Sequence, residues 1–136
     1  MRVFLDANVV VSAFATRGLC ADVMRDVLAR HVLVASADLF REVEKALRGK
    51  LRAPEDVAGE AVGLIREIAV VVEPAGEAGL PISDPADRIL VAAAMEGGAD
   101  LFVTGDRELL ALGRAGRTDI VTPRAFWERV KGPVRP

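Results

Sequence analysis

The chain of 136 residues holds a single cysteine and a single histidine. With one Cys there can be no intrachain disulfide, which excludes a secreted disulfide scaffold. One Cys with one His also excludes a zinc site built from those two residue types. Neither sign of charge dominates: 18 basic against 20 acidic side chains leave a formal net charge of -2. A protein that coats nucleic acid through bulk positive charge is therefore disfavoured, although a local basic patch is not. No apolar run approaches the roughly 18 to 20 residues needed to span a bilayer. The start, Met1-Arg2-Val3-Phe4-Leu5-Asp6, runs directly into a structural pattern. The apolar run Val9 to Ala15 is broken by Ser12, so it reads poorly as a signal segment. The expectation is a protein without membrane segments in a reducing cytoplasm.

What is present is apolar and compactly organised. Hydrophobic residues make up 51% and charged residues 28%, proportions that suit a folded domain and not a disordered chain. The length suits one domain, expected over residues 1–131, with residues 132–136 as a short C-terminal tail.

Short apolar runs alternate with helical patterns. Strands are expected at Val3–Leu5, Val32–Ala35, Val70–Val72, Leu101–Val103 and Ile120–Val121. Helices are expected at about 8–15, 19–29, 38–47, 54–68, 84–96, 108–112 and 123–130. Residues 73–81, with Pro74, Gly76, Gly79 and Pro81, read as a loop. The strands are continuous apolar runs, as expected of strands buried on both faces. With helices between them they imply a parallel α/β sandwich.

Open parallel sheets bind ligands outside the carboxyl ends of their strands, near the point where strand order reverses. Acids stand there. The first strand ends in Asp6, with Asn8 two residues on; the fourth ends Val103-Thr104-Gly105-Asp106. The third leads to Ser83-Asp84-Pro85-Ala86-Asp87, and the second is followed by Arg41-Glu42-Val43-Glu44. No Ser or His partner accompanies them. Converging carboxylates repel one another unless some take up protons or a cation joins them. Hard cations such as Mg²⁺ and Mn²⁺ prefer carboxylate oxygens, and a bound cation reverses the sign of an acidic pocket that would otherwise repel phosphate.

Each acid also has a structural role open to it. Asp6, Asn8, Asp84 and Asp106 can cap the helices that follow. Asp84 before Pro85 suits capping best. Asp87 shares a stripe with Leu90, Val91 and Ala94, which aims a carboxylate inward, though a first-turn acid also gains from the helix dipole. Glu42 and Glu44 flank the apolar stripe Leu39, Val43, Ala46 and Leu47 on opposite sides, and periodicity does not choose between them. Cys20 reads as a buried inert thiol, Phe126 and Trp127 as packing residues, and Arg17, Arg48, Arg52, Arg114 and Arg117 as scattered loop arginines.

The segments Phe4-Leu5-Asp6-Ala7-Asn8-Val9, Leu39-Phe40-Arg41-Glu42-Val43, Asp84-Pro85-Ala86-Asp87-Arg88-Ile89-Leu90, Leu101 to Leu110 and Ile120-Val121-Thr122-Pro123 together resemble a PIN domain, and within that family a VapC-type toxin. The resemblance covers nearly the whole chain. It implies a three-layer α/β/α sandwich around a parallel five-stranded sheet of order 3-2-1-4-5. It implies a ribonuclease dependent on Mg²⁺ or Mn²⁺, with Asp6, Glu42, Asp87 and Asp106 as catalytic, metal-holding acids. Asn8 and Thr104 would support them by hydrogen bonds, with Asp84 a nearby acid that need not bind metal. It further implies an RNA substrate, a cognate antitoxin and a homodimer. Two other readings compete: a phosphatase with an aspartyl nucleophile, disfavoured by Asn8 two residues after Asp6, and a PIN-like module that binds RNA or protein without catalysis.

Overall fold

Strand β1 (Arg2–Leu5) is the centre of the sheet, and in the computed structural model Val3, Phe4 and Leu5 are fully buried. The structure describes residues 1–76 and 79–132. Chain order is β1, α1 (Ala7–Ala15), α2 (Leu19–Arg30), β2 (Val32–Ala35), α3 (Ala37–Gly49), α4 (Glu55–Ile68) and β3 (Val70–Val71). There follow α5 (Pro85–Glu96), β4 (Leu101–Val103), α6 (Arg107–Leu112), β5 (Arg114–Ala115), β6 (Thr118–Val121) and α7 (Pro123–Lys131).

The sheet runs β3-β2-β1-β4-β6-β5. Every pairing from β3 to β6 is parallel, and the predicted order of five strands is recovered in that stretch. Strands buried on both faces need helices on both. β4 is buried at all three residues, and the last three of β1 and β2 are buried too. Phe4 and Phe102 stack across the β1–β4 pair with centroids 5.3 Å apart, which locks the two central strands in register. Helix α5 is buried continuously from Leu90 to Ala94. Among the described residues no single helix is long and apolar enough to cross a membrane.

Three expectations need correction. The sheet has six strands, not five, because β5 pairs antiparallel with β6 as an edge hairpin. Gly113 and Gly116, at φ of 76° and 59°, supply the left-handed backbone that starts and turns it. A strand of two residues is too short to announce itself by periodicity. β3 is not buried on both faces: it lies at the sheet edge, and Val70 and Val71 are 40% and 42% exposed. Cys20 is only partly buried. The expected loop at 73–81 includes residues 77 and 78, and the expected tail includes 133–136; both sets lie outside the described residues.

Candidate active site

The site is assembled by a repeated local device. Asp6 and Ser36 stand directly after β1 and β2, Asp106 stands three residues after β4, and Asp84 ends the long connection from β3; each caps a helix. Asp6 caps α1 by accepting the Ala7 N–H at 2.8 Å, and Ser36 caps α3 by accepting from Leu39 at 3.2 Å. Asp84 caps α5 through Ala86, with Pro85 opening the helix, and Asp106 caps α6 through Leu109 at 3.1 Å. Such caps satisfy orphan N–H groups and place acids at positive helix ends. Those at Asp6 and Asp106 also set acids at the carboxyl ends of the two central strands.

β1 and β4 are neighbours although nearly a hundred residues separate them, and between them the direction of chain crossover reverses. The Asp6 N–H donates to the Val103 carbonyl at 2.9 Å, continuing the ladder. Thr104, fully buried, donates its hydroxyl to Asp6 Oδ2 at 2.6 Å and accepts the Asp106 N–H at 3.0 Å. One side chain thus ties two acids together. Asp6 itself is 4% exposed, with both carboxylate oxygens accepting hydrogen bonds.

The electrostatics show which acids meet. Burial raises the Asp6 pKa above the usual carboxylate range, the Thr104 and Ala7 hydrogen bonds oppose this, and the charge on Asp106 raises it again. Glu42, on α3, is pushed up to about 7, first by burial and then by the charges on Asp6, Asp87 and Asp84. Asp87, in the first turn of α5, is pushed up to about 6 by burial, then by Asp6, Asp84 and Asp106. Burial is the largest cause in each case, and the smaller contributions from one another's charges place these acids around one pocket. Glu44 points elsewhere: its carboxylate pairs with Arg48 at 3.4 Å, one helical turn on.

Asp6, Glu42, Asp87, Asp106 and Thr104 are therefore brought together, with Asp84 exposed at the margin. Asn8 is exposed, and among the described residues its side chain makes no hydrogen bond to the acids; it lines a cleft beside Glu42 instead. One residue escaped the sequence reading. Glu108, on α6, accepts from the Ser83 hydroxyl at 2.7 Å and from its N–H at 3.3 Å, clasping the segment that carries Asp84 and Asp87. Its charge also acts on Asp87. Its position two residues after Asp106 is the one sequence signal that pointed to it.

Could these residues hold a cation? Among the described residues no ion pair neutralises Asp6, Glu42, Asp87 or Asp106. Carboxylates gathered without a basic partner among the described residues, three of them (Asp6, Glu42 and Asp87) with raised pKa values, are the donor set a hard divalent ion prefers. Still, among the described residues no three His, Cys, Asp or Glu side chains are already gathered closely enough to hold an ion. The chemistry fits, and the side chains must close in to ligate.

The fold and the pocket define an α/β protein that concentrates carboxylates at the switch point of a mostly parallel sheet. A model of the PIN domain matches residues 2–108, and the chain belongs to that family. Solved structures with the same fold include VapBC2 from Rickettsia felis bound to a DNA fragment from its promoter, at 10% identity and TM-score 0.63, covering 90% of this chain and 98% of that one. VapBC-1 from nontypeable Haemophilus influenzae is 20% identical with TM-score 0.57, over 82% of this chain and 91% of that one. The Mycobacterium tuberculosis toxin VapC20, which cleaves the Sarcin-Ricin loop, is 16% identical with TM-score 0.62, over 83% and 96%. At these identities the likeness speaks for the fold. No curated protein matches the chain in sequence.

Proposed function

We propose that this protein is an endoribonuclease dependent on Mg²⁺ or Mn²⁺, acting as the toxin of a toxin–antitoxin pair. The observation that carries the reading is the pocket of mutually repelling carboxylates, Asp6, Glu42 and Asp87, without a basic neutraliser among the described residues. Membership of the PIN-domain family and the VapC fold of the structural neighbours support it. Asp6, Glu42, Asp87 and Asp106 would hold the ion. When bound, a divalent ion lowers the pKa of water and offsets charge on a phosphodiester. Thr104 fixes the Asp6 carboxylate and keeps it from rotating away from the pocket. Glu108 holds the Ser83 segment, and so the start of α5, against α6. Glu42, pushed up to about 7, is partly protonated at neutral pH, whereas Asp87, at about 6, is largely ionised there; loading the pocket with a cation would displace the proton that Glu42 retains.

RNA is the proposed substrate, and a cognate antitoxin and a second copy of the chain are the proposed protein partners. A phosphatase with Asp6 as nucleophile is less well supported, because Asn8, not a second acid, stands two residues after Asp6 and none of the three lysines ends a strand. The test is cleavage of mixed RNAs with Mg²⁺, with chelator, and with Asp6→Asn. We expect cleavage that needs the ion and is lost in a folded Asp6→Asn protein. Cleavage retained in that variant, or none by the unaltered protein with either ion, refutes the proposal.

A further inference from the structure

An acidic pocket in an acidic protein needs some local positive charge to draw in a phosphate backbone. The chain contains three lysines: Lys45, Lys50 and Lys131. Lys131 is committed to Asp26, at 3.0 Å. The other two are exposed, and among the described residues neither makes an ion pair. Both line a single cleft of about 500 Å³ between α1 and α3. Glu42 lines the same cleft, so it opens beside the acidic pocket. The rest of its lining is largely apolar, including Val11, Ala46 and Gly49. On α3, positions 42, 45, 46 and 49 recur at the spacing of one helical face. At 1.5 Å per residue, Lys45 and Gly49 stand about 4.5 and 10.5 Å along the axis from Glu42.

We infer that this cleft binds the RNA strand next to the scissile bond, with Lys45 and Lys50 on backbone phosphates and the apolar lining against a base. The inference rests on the ribonuclease reading. The charge pattern favours RNA over an apolar peptide, since two cations that make no ion pair among the described residues flank the lining. Phosphate contacts position a strand without specifying sequence, so the cleft sets affinity and register, not target choice. Gly49 is the C-terminal residue of α3, and a Cβ there meets nothing within 4 Å. Its side-chain position thus faces open space that a larger residue can fill.

The experiment is steady-state cleavage of a short fluorescein-labelled single-stranded RNA of mixed sequence, in Mg²⁺, across a salt series. Lys45→Ala with Lys50→Ala is expected to raise KM about tenfold with kcat held within about twofold, the pattern of lost uniform binding. Two lost phosphate contacts should also lower the salt slope of log KM by about 1.4, at roughly 0.7 per contact for single strands. Lys45→Arg with Lys50→Arg should restore both values. Gly49→Leu should raise KM with the salt slope unchanged. Arg25→Ala, which removes a cation paired with Asp22 on α2, serves as the charge control and should change neither. A wild-type KM and salt slope in the folded double alanine variant overturn the inference. If the unaltered protein cleaves no RNA, the ribonuclease reading fails and this one with it.

Discussion

Replacing Glu42 with Gln should make the ion-free protein more stable while destroying its activity. The Glu42 carboxyl rises from 4.5 to about 7 on folding, chiefly through burial. A carboxyl whose pKa is raised keeps its proton in the fold above the pH at which the unfolded chain releases it. Stability is therefore unaffected below about pH 4.5 and is lost as pH climbs toward 7. At about 1.36 kcal/mol per tenfold change, the full cost at pH 8 is about 3 kcal/mol. Glu42 is only partly buried, and water screens its interactions, so about 1–1.5 kcal/mol of that survives. Glutamine has nothing to ionise and escapes this penalty. For a chain of this size the gain corresponds to about 3–6 °C in Tm. The assay is thermal unfolding of both proteins in chelator at pH 4 and pH 8. The gain should be present at pH 8 and absent at pH 4. Equal Tm values at pH 8, or a gain of the same size at both, refute the idea that ionising Glu42 in its partly buried, acidic setting costs stability.

Three further outcomes are expected. Mg²⁺ should raise the Tm of the unaltered protein at pH 8, and its affinity, read by calorimetric titration, should fall as pH drops below about 7 and then 6, where Glu42 and Asp87 take up protons. Thr104→Val removes the donor to Asp6 and the acceptor for Asp106 N–H; it should cost about 1–3 kcal/mol in denaturant unfolding and more activity than Thr104→Ser. Gly97→Ala should cost about 1–3 kcal/mol, measured the same way, because the new methyl would lie 2.5 Å from Val34 Cγ1 and 3.0 Å from Val72 Cγ2 in packed surroundings.

Much of the sheet was legible because a strand buried on both faces must be apolar without interruption. Val3-Phe4-Leu5 and Leu101-Phe102-Val103 met that condition and were found at their positions. β5 did not, since two residues joined by a glycine turn carry no period, and β3 misled because an edge strand can be as apolar as a central one. Among the acids, Asp6 was readable because a charge closing a buried strand needs a partner. Glu42 and Glu44 could not be separated by their place on α3; only a resemblance favoured the first.

The amino-acid order alone determined the alternation of elements, the helix caps and the identity of the acids, because each depends on neighbours within a few residues. Only the folded chain decided that β1 and β4 lie side by side, that Thr104 holds Asp6, that Glu42 shares a pocket with Asp6 and Asp87 and that Glu108 clasps Ser83. Those contacts join residues whose distance in space depends on strand order and helix packing, and carboxylate repulsion acts through space, not along the chain.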